Sequence, residues 1–422
     1  MNNASARPRS MRLVLSALWL LLSLLLLLAA YQIPFVNDHL YWRVETLRVR
    51  VQNFFSPPQQ TVPLPAARAA GAAPAPEPAA AAPPATGKVV EVEPGGKLQP
   101  FPTPIVEAAL PPRAMISDTT HIWQHWNNCG PATLAMALNF WGWNGTQANT
   151  AAALKPNRLD RNVSVSEMAA FAQSVGFAAE QRPNGTLDGV RRLLSAGFPV
   201  IFERDLELRQ EGWAGHYALL IGYDTAKQRF ITQDTYQGPD VPITDAQLLN
   251  IWRSFNYAYL VVVPPARHAE LLALLGAEAD AAIAFSRAAQ RALREIRQTN
   301  GTAQALTYYN LGINLNAVGD IRGARNSFDQ ARILGLPFRM LWYQPEIYAV
   351  YFAAQEFNEV IQLADFALGT NRSSEEAFFW RGRANEALAN QIDAISDYKA
   401  AAELNPNYEA PREALTRLGV TP

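Results

Sequence analysis

Apolar positions along the chain fall into three regimes. Residues 13–30, LVLSALWLLLSLLLLLAA, form an unbroken uncharged run. At ~1.5 Å per residue it reaches roughly 27 Å as a helix, enough to span a bilayer core. Between about 114 and 265 the pattern becomes a helical stretch after Cys129, with Leu134, Ala137, Leu138 and Trp141 on one face, and then short apolar runs bounded by Gly, Pro or Asp. These runs are FPVIF (198–202), HYALLIGY (216–223), RFITQ (229–233) and YAYLVVV (257–263), and each reads as a strand. PNGTLDGVRRLLSAGFPVIF reads as a helix leading into a buried strand and is scaffold. Helices followed by strands predict an α+β domain with an antiparallel sheet. Beyond Pro265 the chain turns to alanine-rich helical periodicity.

Composition divides the rest. From Ser56 to Arg113 the chain carries 15 of its 30 prolines around AAGAAPAPEPAAAAPPATG, which predicts a semi-rigid spacer with no core of its own. The expected organisation is a cytoplasmic N-terminus (1–12), a transmembrane signal anchor (13–30), a juxtamembrane segment (31–55), a Pro/Ala-rich linker (56–113), the α+β domain (114–265), a helical connector (266–304) and a repeat region (305–420). Arg7, Arg9 and Arg12 precede the apolar run with no acid among them, so the positive-inside rule leaves the N-terminus cytoplasmic and the remainder extracytoplasmic, in a single-pass cell-membrane protein. A cleaved signal peptide is the competing reading; the run is longer than an ordinary signal core, and Leu28-Ala29-Ala30 is a poor cleavage site. With 36 basic and 37 acidic residues, charge nominates no nucleic-acid partner.

The C-terminal periodicity repeats. Gly312, Ala324, Phe328 and Ala331 recur as Gly382, Ala394, Tyr398 and Ala401, and Pro337 as Pro406. The stretches YYNLGINLNAVGDIRGARNSFDQARILGLP and FFWRGRANEALANQIDAISDYKAAAELNP resemble tetratricopeptide repeats, and IYAVYFAAQEFNEVIQLADFAL fits as a copy between them. The resemblance implies an all-α solenoid of about three repeats whose groove holds a protein partner.

Cys129 is the only cysteine, so no internal disulfide forms. Pro131 suits the first turn of a helix, which puts Cys129 at a helix N-terminus, where the dipole and unpaired N–H groups favour a thiolate. Of five histidines, His39 lies beside the apolar run and His268 opens the helical region; His121, His125 and His216 remain. His216 is the candidate base, since it opens an apolar strand after Gly212 and Gly215. A hairpin turning through Tyr223 to Lys227 sets His216 opposite Asp234, which can orient the imidazole. Gln124 lies five residues before Cys129, and its side-chain amide is a candidate donor to an oxyanion. His121 and His125 have zinc-compatible spacing but lack the glutamate of an HExxH motif, so no metal or cofactor is expected.

Gln124 to Leu138, GHYALLIGYD (215–224) and TQD (232–234) together resemble papain-like cysteine peptidases, most closely the bacteriocin-processing (double-glycine leader) peptidases in stand-alone form. No GxxxxGK[ST] motif of an exporter ATPase occurs in the chain. The resemblance implies a papain-like fold with the cysteine on an N-terminal helix and the histidine and aspartate on an antiparallel sheet. It maps Cys129 to nucleophile, His216 to general base, Asp234 to the orienting acid and Gln124 to the oxyanion hole. The function it implies is a membrane-anchored extracytoplasmic cysteine peptidase acting on a peptide or protein substrate that the repeats recruit. The alternatives are a non-cleaving peptide-binding scaffold and an acyl-transfer enzyme of the same clan.

Overall fold

The computed structural model describes residues 60–66, 110–208 and 212–421, with isolated positions 18–23, 25, 26, 29, 47 and 51. The expected membrane span (13–30) falls partly outside the described residues, as do the juxtamembrane segment and most of the linker. Among the described residues no helix is long and apolar enough to cross a membrane. Met1–Gln59 and Gln60–Pro422 separate into two units, and the architecture below belongs to the second.

Seven strands form one antiparallel sheet: β1 (Arg113–Met115), β2 (Ala178–Arg182), β3 (Val200–Leu208), β4 (Gly212–Asp224), β5 (Arg229–Asp234), β6 (Gly238–Thr244) and β7 (Tyr259–Val263). Their order is β2-β7-β3-β4-β5-β6, and β1 pairs with the end of β4 at Gly222 to Asp224, past the point where β3 begins at Val200 opposite Leu220. Helices α1 (Cys129–Phe140), α2 (Gln147–Leu154), α3 (Val165–Ser174), α4 (Leu187–Ser195) and α5 (Asp245–Arg253) complete this layer. The sequence suggests a one-sided face for α1, but the helix is buried at every position from Gly130 to Leu138. Its alanines make that possible, because small side chains let the sheet and neighbouring helices close on it from all sides.

After β7 come α6 (His268–Leu275), α7 (Ala281–Glu295), α8 (Gly301–Ala317), α9 (Ile321–Ile333), α10 (Met340–Tyr343), α11 (Glu346–Ala353), α12 (Phe357–Thr370), α13 (Glu375–Ala387), α14 (Gln391–Leu404) and α15 (Glu409–Arg417). Three antiparallel pairs emerge, α8/α9, α11/α12 and α13/α14, with α15 packed on the last. The repeated glycines explain the repeated sequence. A Cβ on Gly312 would sit 2.6 Å from the Phe328 ring, and one on Gly382 would sit 2.9 Å from Tyr398. Each aromatic therefore fills the space a side chain would take. Gly312→Val is expected to destabilise by about 1–3 kcal/mol through overpacking, read as a lower thermal midpoint; an unchanged midpoint would mean that the helices of this pair separate at little cost.

The two layers are bonded to each other. Asn256 and Asn314 exchange amide hydrogen bonds at 2.7 and 2.9 Å, Tyr257 Oη donates to Glu295 at 2.7 Å, and Asn407 donates to the Ala153 carbonyl at 2.8 Å. The linker also departs from a coreless spacer. Its residues 60–66 lie on the repeats, with Val62 only 1% exposed in their core.

Candidate active site

Cys129 is the first residue of α1. The turn before it is set by Asn127, whose φ of 56° is a left-handed conformation that asparagine tolerates. Asn127 is fixed on both sides: its side-chain amide donates to the Asp160 carbonyl at 2.7 Å, and the Asn127 carbonyl accepts from Lys155 Nζ at 2.7 Å. Pro131 lies in the first helical turn and withholds no needed donor.

His216 and Asp234 come from neighbouring strands, through a detail that the sequence does not show. The hairpin turn is Thr225 to Gln228, later than Tyr223 to Lys227, because β4 continues to Asp224. Beside the turn the pairs are Asp224 with Arg229, Tyr223 with Phe230 and Gly222 with Ile231. Continued unbroken, that register would set Asp234 opposite Leu219 and on the wrong face. A bulge between Leu220 and Gly222 inserts one residue, so Asp234 faces Ala218 and its carboxylate points to the His216 side. The expected direct pair of His216 and Asp234 is thus corrected to a diagonal one, two residues along the same face.

Across that diagonal, His216 Nε2 and Asp234 Oδ1 are 3.0 Å apart, with His216 2% and Asp234 1% exposed. The backbone N–H groups of Tyr236 and Gln237 also donate to Oδ1, at 2.9 and 2.8 Å. Oδ2 is ion-paired with Arg204 Nη2 at 3.0 Å. Arg204 on β3 lies directly across from His216 on β4, so two side chains of one sheet face converge on one carboxylate.

Held through Nε2 by Asp234, His216 also acts on the Cys129 sulfur. Burial alone would raise the Cys129 thiol, but hydrogen bonding to His216, the imidazolium charge, the Tyr217 backbone and the Lys155 charge outweigh it and lower the pKa. Burial would pull His216 down; hydrogen bonds to Asp234 and Cys129, and their charges, instead raise it from 6.5 to about 8. For Asp234, burial raises and the His216 hydrogen bond lowers, with Arg204 assisting, and the net shift is well below the usual carboxylate range. The same interactions favour the thiolate, imidazolium and carboxylate set over the neutral thiol and imidazole.

Gln124 is tied to the end of β5. Its N–H donates to the Thr235 carbonyl at 3.0 Å, and its Oε1 accepts from Thr235 Oγ1 at 2.8 Å. The amide is thereby oriented with its NH2 end away from Thr235. His121 donates from Nε2 to the Asp234 carbonyl at 2.9 Å, which makes it a brace of the same corner, and His125 is exposed. Among the described residues no cluster of metal-ligating side chains occurs.

One wall comes from the repeat region. The Tyr343 ring lies against Gly215 and packs with Trp213 and Phe255 at centroid distances of 6.1 and 5.9 Å. A Cβ on Gly215 would lie 2.8 Å from Phe255 and 3.3 Å from Tyr343, so glycine is required beside His216. Arg161 lies between the Trp126 and Trp342 rings, 5.5 Å from each.

Sequence reasoning missed Arg204, Lys155 and Tyr343. Arg204 lies just past FPVIF, where the apolar run that marks the strand has ended; Lys155 ends a short helix; Tyr343 belongs to a connection between repeats. Only tertiary register brings them to Cys129.

Residues 116–260 match the family model described as Peptidase_C39 like family. The chain carries a C39-like peptidase domain followed by a tetratricopeptide-like helical region. Solved structures similar to it include a protein described as a C39-like peptidase from Bacillus anthracis, at 15% identity over 36% of this chain and 97% of that one, with a TM-score of 0.29. A double-glycine-motif protease of an AMS/PCAT transporter, in complex with the leader peptide, is 18% identical over 36% of this chain and 94% of that one, with a TM-score of 0.28. The first tetratricopeptide domain of Spaghetti, bound to an HSP90 peptide, is 22% identical over 28% of this chain and 94% of that one, with a TM-score of 0.26. Among curated proteins none matches. In the C39-like domain, Cys129, His216, Asp234 and Gln124 all lie inside the matched residues.

Proposed function

We propose that the chain is a cysteine peptidase whose C39-like domain hydrolyses peptide bonds with Cys129 as nucleophile, His216 as base and acid, and Asp234 as the orienting carboxylate. The observation that carries this reading is the buried His216–Asp234 hydrogen bond together with the Cys129 thiol, half-buried at the start of α1, whose pKa His216 lowers. The thiolate attacks the scissile carbonyl, and the oxyanion takes hydrogen bonds from the Cys129 N–H and the Gln124 NH2. As the C–N bond breaks, the imidazolium proton passes to the departing amine and leaves a thioester. His216 then takes a proton from water, whose oxygen attacks the thioester; the acid departs and the thiolate returns beside the imidazolium.

The uncharged run at 13–30 and the arginines before it support anchoring in the cell membrane with the catalytic and repeat regions outside the cytoplasm. The repeats supply a surface for recruiting a protein substrate or partner. Comparing the membrane and secreted proteins of cells carrying the chain with those of cells carrying Cys129→Ala should reveal new peptide termini in the first set alone; identical sets of termini would overturn the reading. Gln124→Ala should lower kcat by about 10² to 10³ while KM changes little, since the lost bond forms only as charge develops on oxygen.

A further inference from the structure

Residues 60–66, QTVPLPA, cross the repeat region as an extended segment. Thr61 pairs antiparallel with Pro337; the Val62 N–H donates to the Leu336 carbonyl at 2.9 Å, and the Phe338 N–H to the Gln60 carbonyl at 3.2 Å. The Val62 side chain sits in the hydrophobic cluster that includes Leu336, Leu341 and Tyr348.

The polar half of the contact is built on Arg332, which is 0% exposed. Its Nε donates to the Pro63 carbonyl at 2.8 Å and its Nη2 to the Leu64 carbonyl at 3.0 Å. Nη1 is held by Tyr351 Oη at 3.0 Å and Glu359 Oε2 at 2.9 Å, and Glu359 Oε1 accepts the Ala66 N–H at 2.6 Å. A buried guanidinium is tolerated only when its donors are matched. Without the segment, Nε and Nη2 lose their acceptors and the Val62 pocket meets water. The proline positions also fit. The donors used are the N–H groups of Val62 and Ala66, so Pro63 and Pro65 forfeit nothing.

The same short connection reaches the active site. Leu336 to Phe338 hold the segment, Arg339 Nη1 donates to the Trp213 carbonyl at 3.2 Å, and the Tyr343 ring packs on Gly215. We propose that the Arg332–Glu359 site docks an extended, proline-punctuated aliphatic peptide, that residues 60–66 fill it in cis, and that filling it holds Tyr343 in place beside His216. The docking site stands whether or not the chain cleaves peptides.

The test uses the full chain with residues 60–66 replaced by glycine and serine, and a fluorescent QTVPLPA peptide followed by anisotropy. The replaced chain should bind the peptide, and a peptide carrying Val62→Asp should bind at least about tenfold more weakly, because a carboxylate enters an apolar pocket. The unaltered chain should bind neither, since its own segment competes at an effective concentration on the order of millimolar. Alkylation of Cys129 by iodoacetamide should differ between replaced and unaltered chains and return to the unaltered rate as peptide saturates. Equal binding by the two chains, or no binding by a replaced chain that still unfolds cooperatively, overturns the docking site. Binding with no change in alkylation overturns the link to Tyr343. If the replaced chain does not fold, Val62→Asp in the full chain should admit the labelled peptide, and its failure to do so overturns the proposal.

Discussion

Replacing Cys129 with alanine is expected to reduce turnover of any peptide substrate to background, a loss on the order of 10⁶ for removal of a nucleophile, with the thermal midpoint nearly unchanged. The side chain is half-buried at the start of α1, and one sulfur atom contributes little packing. The chain offers an unusually clean chemical reading of the same group, because Cys129 is its only cysteine and iodoacetamide can label no other thiol. Alkylation follows the thiolate fraction. His216 lowers the thiol, so the folded protein should be alkylated faster than the denatured chain at neutral and mildly acidic pH. Peptide hydrolysis should decline on the alkaline side as pH passes about 8, where His216 loses the proton it must deliver to the leaving amine. Alkylation no faster than in the denatured chain would remove the thiolate, and with it the proposed mechanism.

Cys129 and His216 were legible as candidates because each announces itself locally. Pro131 marks a helix start, one cysteine leaves no choice of thiol, and HYALLIGY declares a strand with a histidine at its mouth. Strand boundaries were less so. FPVIF stops at 202 while β3 runs to Leu208, because the outer half of that strand alternates charged and apolar residues that look like a surface loop. The bulge at Leu220/Gly222 left no sequence mark, yet it decides which face Asp234 occupies. Repeats were legible from Gly312 and Phe328 because packing imposes the same pair at Gly382 and Tyr398. The docking of QTVPLPA was hidden for the opposite reason. Its proline content matches that of a spacer, and its partner Arg332 reads as one more exposed arginine on an amphipathic helix until the carbonyls of Pro63 and Leu64 are seen on it.

Asp234→Asn should lower kcat/KM by several orders of magnitude, toward the ~10⁴ lost when an orienting carboxylate becomes an amide. The argument rests on what the carboxylate holds. It accepts from His216 and pairs with Arg204, with all three groups nearly excluded from water. The asparagine keeps the shape but removes the charge, so the hydrogen bond from His216, the largest of the influences that raise it, weakens, the attraction of the carboxylate is lost, and the downward pull of burial gains. The sign follows: the imidazole pKa falls from about 8, the imidazolium no longer lowers Cys129, and the thiol pKa rises. The pH midpoint of iodoacetamide alkylation should therefore move up in Asp234→Asn, in the direction opposite to the histidine. Arg204→Met should shift it by much less, because Arg204 acts on His216 only through Asp234, whose charge remains. It leaves the two carboxylate hydrogen bonds from Tyr236 and Gln237 in place. A smaller shift in Arg204→Met than in Asp234→Asn identifies Arg204 as a positioning residue. An alkylation profile unchanged in Asp234→Asn would mean that the carboxylate braces the corner of β5 without tuning the pair, and the proposed triad would reduce to Cys129 and His216.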